Sequence, residues 1–287
     1  MRSIAIINQK GGVGKTTTAV NLSAALAEAG QRVCLLDLDP QAHASLHLGV
    51  DKHSSGTSIY DVLVGQGHLQ DVRRPISDNL WLVPSHIDLA AAEVELAGEV
   101  GREVILRDKL LQDPEEFDFV IIDCPPSLGV LTLNALVAVR EVFLPLQPHF
   151  LALHGLSKLL ETIEIVIRRL NRELRLTGVV VCMFESSTRL AQEITGDVSD
   201  FLTAVDDSEC PWYGATVFPT RVRRNIRLAE APSFGQTIFE YAGHSNGALD
   251  YRSLAADVLQ QMLVNDAGAH DCEAEVIVET LARARSL

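Results

Sequence analysis

Short β-branched runs alternate with longer segments of helical period along this chain. The runs Ser3–Asn8, Arg32–Leu38, Leu80–Val83, Phe117–Ile122, Glu141–Leu146, Gly178–Phe184 and Ala215–Phe218 read as strands. Several are apolar at consecutive positions, as in IAII, FVII and VVVC, which suits strands covered on both faces. Between them Lys15–Ala29, Ser58–Val64, Asp88–Leu96, Arg102–Leu111, Leu128–Val139, Leu153–Leu170, Leu190–Leu202 and Gly247–Val264 carry helical spacing. This alternation predicts βαβ units, and so a doubly wound α/β fold: a mostly parallel sheet with helices on both faces. The pattern predicts one domain over residues 1–264. Beyond it, NDAGAHD leads into an amphipathic segment, Glu273–Arg285, acidic in its first half, which reads as a C-terminal extension (265–287) with a short surface helix.

Composition narrows the class. With 287 residues, 47% hydrophobic and 22% charged, the chain is long and apolar enough to bury a sizeable core and is not of disordered composition. Aromatic residues are 5%, so that core is mainly aliphatic. The net charge of −14 means that any nucleic-acid contact must come from a local basic patch. The five cysteines are scattered without a CxxC pair, which gives neither a disulfide framework nor a zinc site. The start, MRSIAIINQKGG, lacks the form of a signal peptide, and no apolar stretch reaches the roughly 18 residues of a membrane span. The expectation is a cytoplasmic protein without membrane attachment.

The chemistry begins at Lys10–Thr17, KGGVGKTT, which follows the first strand and opens the first helical segment. The pattern G-x-x-x-x-G-K-[ST] fails only at its first glycine, where Gln9 stands. Gly11, Gly12 and Gly14 let the backbone curl, so that its N–H groups, with those of Val13 and Thr17, converge on phosphates at a helix N-terminus. Lys15 suits the β- and γ-phosphates, and the Thr16 hydroxyl suits Mg²⁺. The expectation is a P-loop NTPase using ATP and Mg²⁺. Two apolar runs then end in acid: VCLLDLDPQ at Asp37 and Asp39, and FVIIDCPPS at Asp123. Ligands in open α/β sheets bind at the carboxyl ends of strands, so these acids converge on the loop, with Asp123 a Walker B-type metal ligand beside Thr16. Lys10 is a second cation near the same phosphates. It acts across a dimer interface or is a solvated surface lysine, and spacing leaves both open.

The box KGGVGKTT resembles the deviant Walker A of the ParA/MinD group of ATPases. That resemblance implies that Lys10 reaches the nucleotide of the partner subunit in an ATP-sandwich homodimer. DLDPQ is similar to the ParA switch I, which implies that Asp39 positions the attacking water and that Asp37 supports the loop. DCPPSLGVLTLNALVA resembles ParA switch II, with Asp123 as the Walker B acid; MinD-like proteins usually carry a DSPAG-type sequence there, which favours ParA. After switch I the family commonly reads DPQGNAS where this chain reads DPQAHAS, with Ala42 and His43.

Thr220–Ser233, TRVRRNIRLAEAPS, places Arg221, Arg223, Arg224 and Arg227 within seven residues of an acidic chain. Like charges this close repel unless an anion sits among them, so a phosphate backbone is the expected partner. The segment resembles the ParA box PRNVRLSEAPS, which implies nonspecific DNA binding through Arg227 and an adenine-side place for Asn225. The family's proline is Arg223 here. A second family DNA contact lies in a MLDARTN-like stretch; the corresponding MFESSTR has Ser187 at the arginine, and Arg189 two residues on is the expected substitute. The resemblance spans residues 1–264, including FEYAGHSNGALDYRSLA, similar to YDPRSKGAEAYLELA. It implies a slow partition ATPase, nucleoid-associated, binding double-stranded DNA nonspecifically and released by a ParB-like centromere-binding partner. It also implies that the N-terminal DNA-reading domain of larger plasmid ParA proteins is absent. The competing readings are a MinD-like membrane-cycling regulator, which the three glutamates of EAEVIVETLARARSL fit poorly, and an orphan ParA-like ATPase positioning a protein cargo. A nitrogenase iron-protein reading needs two suitably placed cysteines, whereas after Cys124 none follows before Cys182.

Overall fold

A computed structural model describes residues 1–51, 56–149, 152–186, 188–207 and 209–267. The strands are β1 (Arg2–Ile6), β2 (Val33–Asp37), β3 (Arg74–Ser77), β4 (Leu80–Val83), β5 (Phe119–Asp123), β6 (Glu141–Leu146), β7 (Arg175–Phe184) and β8 (Thr216–Arg223). They form one eight-stranded sheet in the order β3-β4-β2-β5-β1-β6-β7-β8. Every pairing is parallel except β3 with β4. The helices are α1 (Lys15–Glu28), α2 (His43–His47), α3 (Ile59–Leu63), α4 (Leu69–Val72), α5 (Leu89–Glu95), α6 (Ile105–Leu111), α7 (Val130–Ala138), α8 (Ala152–Arg169), α9 (Arg189–Thr203), α10 (Ile226–Glu230), α11 (Ile238–Ala242) and α12 (Asn246–Ala267). This is the doubly wound arrangement the alternation predicts.

The apolar runs are buried on both faces because successive side chains of one strand enter different cores. Val120 and Ile122 of β5 join Leu36, Val142 and Leu144 in a cluster with Leu131 and Ala135 of α7 and Leu159 and Ile163 of α8. Phe119 and Ile121 join Ile4, Ile6, Leu35 and Phe143 in a second cluster with Leu22 and Leu26 of α1 and Tyr251 and Leu254 of α12. Helix α12 is also tied to distant elements by polar contacts. The Arg2 side chain donates to the Val258 carbonyl at 2.6 Å, Arg252 pairs with Glu28, and Asp257 accepts from the Thr220 amide at 3.0 Å.

The structure adds elements that the periodicity does not announce. The β3 run alternates in exposure, carries Pro75 and pairs antiparallel at the sheet edge. β8 continues through Pro219 to Arg223, where the pattern ends a strand at Phe218. Helix α12 runs through Val264 to Ala267, across the position of the expected domain boundary. Glu273–Arg285, Cys272 and Ser187 lie outside the described residues. Among the described residues no helix is long and apolar enough to cross a membrane.

Candidate nucleotide-binding and catalytic site

The glycine-rich segment forms the turn between β1 and α1. Gly12 and Gly14 have φ of +73° and +96°, the left-handed region that only glycine enters without strain. Gly14 is also the N-cap of α1 and offers no side-chain cap, so the first-turn amides are not satisfied by a capping side chain. The turn is anchored at its start: the Asn8 amide donates to the Pro145 carbonyl at 2.8 Å, and the Asn8 Oδ1 accepts from the Lys10 N–H at 3.0 Å. Lys15 is buried, and its ammonium donates to the Lys10 carbonyl at 3.1 Å. Burial lowers the Lys15 pKa, and the carboxylates of Asp123 and Asp39 act against that shift.

The register delivers those acids. Asp37 at the end of β2 and Asp123 at the end of β5 are paired neighbours in the parallel ladder, and Ile6 of β1 is the next partner of Asp123. Asp37 is fully buried and holds the segment after it: its Oδ2 accepts from the Ser45 N–H and hydroxyl at 2.8 and 2.7 Å, and its Oδ1 from the Asp39 N–H at 3.2 Å. Burial pushes its pKa up to about 7, against the pull of those hydrogen bonds. Asp39 accepts from the Gln41 N–H at 2.9 Å, and its carbonyl accepts from Ser85 at 2.8 Å. Ala42, where the family reads glycine, has φ +53°, and His43 starts α2.

Asp123 differs from both. It is fully buried, and neither carboxylate oxygen has a hydrogen-bond partner. Burial raises its pKa well above the usual carboxylate range, the Asp37 charge adds to this, and the neighbouring Thr16 hydroxyl and Lys15 oppose it. A buried, unpartnered carboxylate beside a threonine hydroxyl fits a hard cation. Among the described residues no group of three or more His, Cys, Asp or Glu is placed to hold a metal alone. A Mg²⁺ ion held by these two residues would complete its shell with phosphate oxygens and water, as Mg²⁺ at nucleotide sites does.

These groups open on a cavity of about 720 Å³. Its lining includes Gly11, Gly12, Gly14, Lys15, Thr16, Thr17 and Asp39, together with Met183, Arg223, Arg224, Asn225, Leu228 and Tyr251. Its volume suits a ligand of nucleotide size. Asn225 caps α10, its Oδ1 accepting from the Arg227 N–H at 2.9 Å. Val13, within the loop, is buried. Lys10 is exposed, and its ammonium lies against His149 Nε2.

Several residues of this cavity carry no signal in the sequence that marks them for it. Met183, in the left-handed region at φ +51°, and Cys182 come from β7, and Tyr251 from α12 contacts the Thr18 hydroxyl at 3.2 Å from 233 residues away.

The arginines sit at the carboxyl ends of β7 and β8, and the expectation that they lack local counter-charge is corrected. Arg223 pairs with Asp250 at 2.6 Å, Arg224 with Glu185 at 3.0 Å, Arg227 with Glu230 at 2.8 Å and Arg189 with Glu193 at 2.8 Å. Arg221 lies 4.7 Å from the centre of the Phe184 ring. The carboxylates come from other segments or from the next helical turn, so the one-dimensional cluster overstates the repulsion. All five arginines remain exposed.

A protein-family model described as an AAA domain matches residues 1–176. The chain is 42% identical over 260 residues to the chromosome-partitioning ATPase Soj of Treponema pallidum, covering 90% of this chain and 97% of that protein. It is 43% identical over 256 residues to the sporulation initiation inhibitor protein Soj of Bacillus subtilis, covering 89% and 97%. Among solved structures it is similar to a cobyrinic acid a,c-diamide synthase of Mycobacterium smegmatis with bound ADP and magnesium. That match has a TM-score of 0.76 and 36% identity, covering 91% of this chain and 95% of the other.

Proposed function

From the premise that this chain belongs to the ParA/Soj family of chromosome-partitioning ATPases, we propose that it is an ATP- and Mg²⁺-dependent partition ATPase. The observation that carries the reading is one cavity that joins the glycine loop, Lys15, Thr16 and Asp39 to Asn225, with the buried, unpartnered Asp123 beside Thr16 and Lys15. In this reading Lys15 and the loop amides bind the phosphates, Thr16 and Asp123 hold Mg²⁺, Asn225 lies by the base, and Asp39 orients the attacking water. The Asp39 side chain is held through the Gln41 amide and its backbone through Ser85 and Asp37, which supports a positioning role. Mg²⁺ supplies neutralisation of developing phosphate charge when bound.

Lys10 lies outside its own subunit's cavity lining, which supports a role on the nucleotide of a second subunit in an ATP-dependent homodimer. Arg189, Arg221, Arg223, Arg224 and Arg227 provide the surface for nonspecific double-stranded DNA. The exposed ion pairs of Arg189, Arg224 and Arg227 are cheap to exchange for phosphate contacts. A ParB-like centromere-binding protein stimulates turnover and releases the dimer. The diamide-synthase name belongs to a relative at 36% identity, and the partitioning relatives at 42–43% over the same span take precedence.

The test is ATP turnover measured alone and with DNA plus a ParB-like protein. Lys15→Ala should lose nucleotide binding. Asp39→Ala should bind ATP, hydrolyse it poorly and persist as a dimer. Wild-type turnover in Asp39→Ala would reassign the water-positioning role, and normal ATP affinity in Lys15→Ala would remove the site.

A further inference from the structure

Resting on the reading of Asp39 as the water-positioning acid, we propose that His47 is a positioning residue for hydrolysis: with Asn21 it grips the strap 236–238, and so fixes the Asp39 loop relative to the phosphate loop. His47 ends α2 and is 1% exposed. Burial lowers its pKa to about 4, so at neutral pH the ring is uncharged and carries one N–H. Nε2 is buried without a hydrogen-bond partner, which leaves Nδ1 to meet the Gln236 backbone. That bond favours the charged ring, so the ring donates and the Gln236 carbonyl accepts. The setting is otherwise apolar: Ala44 and Leu48, on either side of His47 in the chain, share a core cluster with Leu228 and Ile238. A residue serving packing alone would be apolar here, because a buried ring nitrogen without a partner costs free energy. The two backbones also close on each other, since a Cβ on Gly235 would stand 2.9 Å from the Gly49 Cα.

The strap is tied at its other end to the helix that carries Lys15 and Thr16. The Ile238 N–H donates to Asn21 Oδ1 at 2.9 Å, and the Asn21 amide donates to the Thr17 carbonyl at 2.9 Å. Asn21 is fully buried on α1, one turn after Thr17. On the His47 side, α2 leads back to the acid: the Leu46 N–H donates to the Ala42 carbonyl at 2.9 Å, and the Ala42 N–H to the Asp39 carbonyl at 2.8 Å. Thr17, Asn21, the strap, His47, α2 and Asp39 thus form one continuous chain of contacts. The sheet supplies a second link through Asp37, which holds the N–H groups of Ser45 and Asp39. Asp37 fixes where this loop leaves β2, and His47 fixes where α2 ends. With the His47 grip removed, α2 and the Asp39 loop can shift against the phosphates, and a misplacement of about 1 Å costs up to about 100-fold in rate. His47 is absent from the cavity lining, so nucleotide affinity is independent of it.

The measurement is the Kd for ATP with Mg²⁺ and the kcat of the full chain, for wild type, His47→Leu, His47→Asn, His47→Gln, Asp39→Ala and the double variant of Asp39→Ala with His47→Leu. Melting curves verify folding. His47→Leu should lower kcat about tenfold or more while the Kd stays within about twofold of wild type. His47→Asn, whose amide takes the place of Nδ1, should hold kcat within about threefold of wild type, whereas His47→Gln, whose amide takes the place of Nε2, should fall with His47→Leu. A merely structural role would not separate these two polar variants. In the Asp39→Ala background His47→Leu should cost nothing further, because residues that act as one unit are not additive. Where His47→Leu fails to fold, the contrast between His47→Asn and His47→Gln decides. Wild-type kcat in His47→Leu, equal turnover in His47→Asn and His47→Gln, or a further loss in the double variant would overturn the proposal while leaving the nucleotide site standing. Wild-type turnover in Asp39→Ala would instead overturn the water-positioning reading, and this inference with it.

Discussion

Replacing Asp123 by asparagine should stabilise the nucleotide-free protein and abolish its stabilisation by Mg²⁺ and ATP. The carboxylate is fully buried, both oxygens lack partners, and the Asp37 carboxylate is its ladder neighbour. An unsatisfied buried polar group costs about 1–3 kcal/mol, more when charged. Asparagine is isosteric, removes the charge and sets an amide beside Asp37, so a gain of about 2 kcal/mol is expected. That corresponds to roughly 3 °C in Tm for a chain of 287 residues. The pH dependence follows from the direction of the shift. Asp123 and Asp37 both have folded pKa values above the unfolded value, Asp37 at about 7. Their contribution is fully present below the unfolded carboxyl pKa of about 4 and is lost as pH rises through the folded values. Wild type should therefore lose stability between about pH 4 and pH 7 and above, and the advantage of Asp123→Asn should widen over that range. Saturating Mg²⁺ and ATP should reverse the order: a ligand at 100 times its Kd adds about 2.7 kcal/mol to wild type, and the variant should gain little. Scanning fluorimetry from pH 5 to pH 8.5, with and without Mg²⁺ and ATP, reads all of this. A variant that melts at or below wild type at pH 8, with no dependence on pH, would refute the account of a strained carboxylate awaiting a cation.

Three further outcomes follow from the same geometry. Lys10→Ala should stay monomeric with ATP by light scattering while binding the nucleotide; a stable ATP dimer would make Lys10 a surface lysine. Arg227→Ala should weaken binding to random duplex DNA and reduce the salt slope by about one per subunit, with ATP-dependent dimerisation retained; an unchanged slope in a mobility-shift salt series would remove Arg227 from the DNA surface. Gly14→Ala should destabilise the fold by about 1–2 kcal/mol in chemical denaturation, because φ is +96° and the added Cβ would stand 3.4 Å from Cys182; wild-type stability would mean that the loop relaxes freely.

Much of the fold was legible because its strands are buried on both faces. VCLLD and FVIID announce themselves as continuous apolar runs ending in acid, and the structure places Asp37 and Asp123 side by side at those ends. The edges were less legible. β3 alternates in exposure and contains proline, and the last residues of β8 are charged, since an edge strand shows side chains to water. The five-residue helices α2, α10 and α11 are too short to reveal a period. At the site, the loop and its acids stand in local motifs. The partners that tune them do not: Asp250 lies 27 residues from Arg223, and His149 lies 139 residues from Lys10. Only the folded topology brings these together, so spacing alone suggested a crowd of arginines where each has its own counter-ion or ring.

The stitching of α12 onto the opening elements has a consequence for how the chain is made. Tyr251 meets Thr18 across 233 residues, and Arg2 reaches the Val258 carbonyl across 256. On the ribosome, the glycine loop and α1 emerge long before the helix that covers them. Apolar side chains such as Leu22 and Leu26, which share a core with Leu254 and Val258, stay without that cover through most of synthesis. Closing contacts of such long separation is slow, and exposed apolar surface in the interval is prone to association. Nascent chains stalled before α12 should therefore carry a formed but uncovered loop region and engage chaperones, and nucleotide competence should arrive late, as a property of the finished polypeptide.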